Sequence, residues 1–112
     1  MSPKNQSVPR PIKRAEFAIV CATASAEKGW RDVRATQLNA VVDAWDRLTR
    51  DPQSIDGTCH PLKGDLAVVV RAGISHDQWQ YELKNGARIW FYVEGKTVNL
   101  VAVHTAHPNQ TK

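Results

Sequence analysis

From Leu62 onward the chain changes to a period of two, and this pattern narrows the folds open to it more than any other feature. "DLAVVVR" (65–71) is rich in β-branched residues, and "QWQYEL" (78–83) sets Trp79, Tyr81 and Leu83 on one face. Asn85-Gly86 signals a two-residue hairpin, because both central residues of that turn need positive φ. "ARIWFYV" (87–93) returns with Ile89, Phe91 and Val93 on one face and Arg88, Trp90 and Tyr92 on the other. "EGK" turns the chain again into "TVNLVAVH" (97–104). Strands joined by turns this short pair antiparallel, so the C-terminal half predicts a meander.

The N-terminal half has different spacing. "EFAIVCAT" (16–23) is a continuous apolar run, the pattern of a strand covered on both faces, and Cys21 within it reads as a buried thiol. "SAEKGWRDVRA" (25–35) opens with Ser25 and Glu27, residues typical of a helix start, although Gly29 weakens it. A stronger helix covers 37–50, with Thr36 in position to cap it. Leu38, Val41, Val42, Trp45 and Leu48 draw one apolar stripe along it, and Asp43–Arg47 and Asp46–Arg50 are spaced as surface ion pairs. By spacing, Trp30, Trp45 and Phe91 belong to the core. Asp51-Pro52 stops the helix, and "QSIDGTCHP" (53–61) reads as loop. The order is strand, two helices, then a meander: an α+β fold with a helical hairpin across a curled antiparallel sheet.

At 112 residues this is one compact domain, expected to span 15–112 behind a basic, proline-containing flexible arm at 1–14. The net charge of +4 favours nucleic acid, phosphate or an acidic protein as partner. No stretch approaches the length of a membrane span, no signal peptide is visible, and two cysteines without a CxxC pair suit a reducing, cytoplasmic setting.

The long second helix ending "RLTRDP", then "PLKG", then "WQYELKNGARIWFYVEGKTVNLVAVHTAHPN" together resemble the RelE/ParE superfamily of bacterial toxins, over about nine-tenths of the chain. The β-α-α-β-β-β order matches, with 65–77 reading as an extra strand or flap. The resemblance implies the toxin of a type II toxin–antitoxin module. It would be a metal-independent, ribosome-dependent mRNA endoribonuclease (an mRNA interferase) that inhibits translation, needs no cofactor and is held inactive by a cognate antitoxin. The alternatives on the same fold are a ParE-like DNA gyrase inhibitor and a non-catalytic basic RNA-binding module. One departure stands out: the strand before the hairpin carries acidic Glu82 where the superfamily usually keeps a base.

Cleaving RNA with its own 2′-hydroxyl needs a base, an acid and fixed cations around the phosphate. Arg88, expected on the sheet's open face and at the place of the superfamily's phosphate-contacting arginine, is the candidate clamp. His104 and His107, at the end of the last strand where the superfamily places acid/base residues, are the candidate proton carriers. Lys63 and Lys112 are candidate phosphate contacts, and Tyr92 a candidate base-stacking ring. His60 and His76, on expected loops, receive no role. A His-x-x-His metal site finds too few further ligands, and no metal is expected.

Overall fold

A computed structural model of the chain describes residues 16–106. The arm at 1–14, His107 and Lys112 lie outside the described residues. The element order is β1 (Ala18–Cys21), α1 (Ala24–Thr36), α2 (Leu38–Arg50), β2 (Cys59–Pro61), β3 (Val68–Arg71), β4 (Ile74–Asp77), β5 (Trp79–Glu82), β6 (Arg88–Glu94) and β7 (Thr97–His104). Five strands form one sheet in the order β1-β7-β6-β5-β2, while β3 and β4 form a separate two-stranded ribbon.

The α+β class stands, but the sheet is mixed rather than antiparallel. β1 pairs parallel with β7, Ile19 opposite Val98 and Cys21 opposite Leu100. Parallel neighbours need a long crossover, and everything from α1 to β6 lies between these two strands. β2 is the second correction, because three residues of the expected loop pair with β5, Cys59 opposite Tyr81. The extra strand expected at 65–71 is shorter, β3, and its partner is β4 rather than the main sheet.

Helix α1 starts at Thr23, not Ser25: the Thr23 hydroxyl accepts from Ala26 N at 2.9 Å and donates to Val101 O at 2.8 Å, tying the helix start to β7. Gly29 explains itself here. A Cβ at that position would lie 2.1 Å from the Val103 carbonyl oxygen, so glycine is what lets α1 lie against β7. Thr36 does not cap α2. It ends α1 and donates to Asp32 O, leaving Gln37 at the start of α2 without a side-chain cap bond.

The buried line of α2 is Val41, Ala44 and Leu48, with Leu38 and Val42 left 56% and 48% exposed. The expected stripe is rotated toward Ala44, which is fully buried. Trp45 is half-buried and meets half-buried Trp30 at 6.4 Å between ring centroids, so these rings border the core that Phe91 occupies fully. Arg47 abandons Asp43 for the following loop, with Nη1 2.7 Å from Asp56 and Nε donating to Asp51 O at 2.8 Å. Asp56 also accepts from the Thr58 amide and hydroxyl and from the Cys59 amide, and the Thr58 amide, Arg47 and the Thr58 hydroxyl hold its carboxyl well below the usual range. Cys21 lies exposed on edge strand β1, while burial pushes the Cys59 thiol up to about 11. The β5–β6 connection is a 3-10 turn, Lys84–Gly86, closed by Leu83 N donating to Ala87 O at 2.8 Å, with Gly86 at φ 86°.

Candidate functional site

Both helices cover one face of the sheet, where Ile89, Phe91, Val98, Leu100 and Val103 are buried with Leu48 and Val33. The register then dictates what the opposite face presents. Arg88 pairs with His104 on one side and with Glu82 on the other. Trp90 pairs with Ala102 and Gln80, and Gln80 in turn with His60. A register shift between Trp90 and Phe91 absorbs Val101, so Tyr92 falls opposite Asn99 on the same open face. Directly opposed side chains on paired strands lie within interaction distance, so Glu82, Arg88 and His104 form one row across three strands.

Arg88 is 9% exposed and ion-paired to Glu82 Oε1 through Nη1. Among the described residues its buried Nε has no hydrogen-bond partner, and neither has His104 Nε2. The two orphan nitrogens therefore belong to cross-strand neighbours, each a group that burial penalises when unpaired. Burial also holds the His104 imidazole below its ordinary value, which favours its neutral form. Trp90 fixes the row from above: its indole N–H donates to Gln80 Oε1 at 2.9 Å, and its ring meets the His104 ring edge-on at 4.4 Å. His104 also borders a cleft of about 370 Å³ against α1, lined by Lys28, Gly29, Asp32, Val103 and Thr105.

Tyr92, only 6% exposed, is covered by the β3–β4 ribbon, whose His76 stacks on it at 4.1 Å with an interplanar angle of 19°. The structure thus brings Arg88, His104 and Tyr92 onto one face. It does not bring Lys63 to them. Pro61 lies level with Trp79 and Phe91, three residues along β6 from Arg88, and Lys63 follows two residues later, so it lies at least about 10 Å along the strands from Arg88. Glu82, Gln80, His60 and His76 join the same face without having been singled out as functional. Alternation within "WQYEL" gives the signal for Gln80 and Glu82, since both oppose the core-facing Trp79 and Tyr81. Nothing in the sequence reports that a separate ribbon folds back to deliver His76.

Among the described residues no group of three His, Cys, Asp or Glu side chains is placed to hold a metal ion. No helix among them is long and apolar enough to cross a membrane. Comparison with protein-family models, with curated proteins and with solved structures returns no match.

Proposed function

We propose that this chain is a RelE-like toxin that cleaves mRNA on the ribosome, with Arg88 and His104 at the reacting phosphate. The observation that carries the reading is the cross-strand pairing of a guanidinium and an imidazole, each with a buried nitrogen lacking a partner, on one face of the sheet. A bound RNA satisfies both at once: a phosphate oxygen accepts from Arg88 Nε, and the 2′-hydroxyl donates to His104 Nε2. Arg88 supplies the planar fork that matches phosphate. Neutral His104 takes the proton of the 2′-hydroxyl, whose oxygen then attacks phosphorus and forms a 2′,3′-cyclic phosphate. The 5′ oxygen leaves with a proton, a role this reading gives to His107. General base catalysis of this kind contributes roughly 10²–10⁴-fold in rate.

The Glu82–Arg88 ion pair supports a second reading, a non-catalytic RNA-binding module, because a carboxylate already neutralises the clamp. In the nuclease reading the incoming phosphate displaces or shares that carboxylate. Induced expression in bacteria separates the two. Growth arrest that Arg88→Ala and His104→Ala each relieve, with both variants folded, supports the nuclease. Arrest that persists in both variants contradicts this site, and arrest with intact mRNA and damaged DNA points instead to gyrase. The proposed partners are the mRNA in the ribosome and an antitoxin that covers this face.

A further inference from the structure

We propose that the β3–β4 ribbon is a lid over this face, and that His76 holds on Tyr92 the place an unpaired nucleobase of the substrate takes. The inference rests on the RNA reading above and adds a base-binding site and a displaceable cover to it. Tyr92 points away from the helices, and a ring on that side of a thin sheet has no core to bury it. It is nevertheless almost fully covered, and His76 lies nearly parallel on it. Near-parallel stacking at this separation is how a flat heteroaromatic ring sits on tyrosine, and a nucleobase presents the same kind of face.

The ribbon's attachments are those of a lid. Its root is fixed: Gln78, the single residue between β4 and β5, donates through its backbone to Ala67 O at 2.9 Å and through its side chain to Leu66 O at 2.8 Å, and accepts from Leu62 N at 2.9 Å. Its tip is lightly held: among the described residues, its bond outside the ribbon is an exposed one from Arg71 Nη2 to Ala22 O at 2.8 Å. The tip also turns through Ala72 at φ 52°, a left-handed conformation that disfavours a residue with a Cβ. Val68, Val70 and Ile74 remain 49%, 62% and 54% exposed, so the ribbon buries little apolar surface of its own. Few buried contacts on a solvent-exposed two-stranded unit make its opening inexpensive. Lifting it uncovers Tyr92 four residues along β6 from Arg88, about 13 Å on the same face, so a clamped phosphate and a stacked flanking base fit one strand of RNA.

The test uses a 2′-O-methyl oligoribonucleotide, which cannot be cut, and the same oligomer with abasic positions. Affinities are measured by anisotropy, free and on ribosomes programmed with each oligomer. The readout is the ratio of affinities for the two probes, which cancels the general phosphate attraction. His76→Ala should raise that ratio roughly two- to ten-fold, the worth of one aromatic stack no longer competing. Arg71→Ala, which leaves His76 and the sheet intact, should raise it as well. Tyr92→Ala should bring it to one. An unchanged ratio in His76→Ala overturns the lid, and a lowered ratio makes His76 part of the bound site and overturns it too. In either case the nuclease reading survives provided Arg88→Ala weakens both probes. If no variant and no parent binds either probe, on or off the ribosome, the RNA reading fails and the lid with it.

Discussion

Gly29→Ala is expected to destabilise the protein although it sits inside a helix, where alanine is ordinarily the better residue. The added Cβ would lie 2.1 Å from Val103 O, 2.9 Å from Val103 Cβ and 3.0 Å from Val103 C. The first of these is more than about 1 Å inside ordinary contact. The obstacle is β7 backbone, so no side-chain rotation relieves it, and α1 must move off the sheet. Overpacking of this kind costs about 1–3 kcal/mol, and a rigid backbone obstacle puts it at the upper end. The helix-propensity gain returns up to about 1 kcal/mol. The net loss is therefore about 2 kcal/mol. In urea, with a slope of about 1–3 kcal/mol/M for a small domain, the midpoint should fall by roughly 1 M at constant slope. Val103 immediately precedes His104, so a folded variant should also lose activity that depends on that histidine. A midpoint equal to or above the parent's would refute the close packing of α1 on β7.

Two further outcomes follow from burial. His104 is held below its ordinary value by desolvation, so the unfolded chain binds more protons than the folded one once pH drops below about 6.5. Stability should be full above that pH and decline beneath it as pH approaches the lower folded value, and His104→Gln should flatten the decline in urea midpoints taken from pH 7.5 to 5. A thiol reagent at pH 8 should label Cys21 in the native protein, more slowly than a free peptide thiol because its pKa is raised by desolvation, and should reach Cys59 only in denaturant.

The meander was legible because its information is local. Alternation separates Ile89 and Phe91 from Arg88, Trp90 and Tyr92, and the structure keeps that division with Arg88 and His104 in register. The two helices were legible for the same reason. What the sequence hid was decided by distant partners. The apolar run at β1 looks covered on both faces, yet β1 is an edge strand, so Val20 and Cys21 are exposed. "CHP" becomes a strand only because β5 offers it an edge. Glu82 was visible as a departure from the toxin pattern, but its ion pair with Arg88 required the register. The stack of His76 on Tyr92 depends on a ribbon folding back over the sheet, and no local periodicity encodes that.

The most direct test of the account is the chemistry of RNA ends after the chain is induced in bacteria. Sequencing that distinguishes terminal groups should find new mRNA fragments ending in 2′,3′-cyclic phosphate (or the 3′-phosphate it hydrolyses to) and beginning with 5′-hydroxyl, all absent with Arg88→Ala and with His104→Ala. Fragments with 5′-phosphate ends, or the same cleavage in both variants, would contradict a 2′-hydroxyl attack assisted by these two residues.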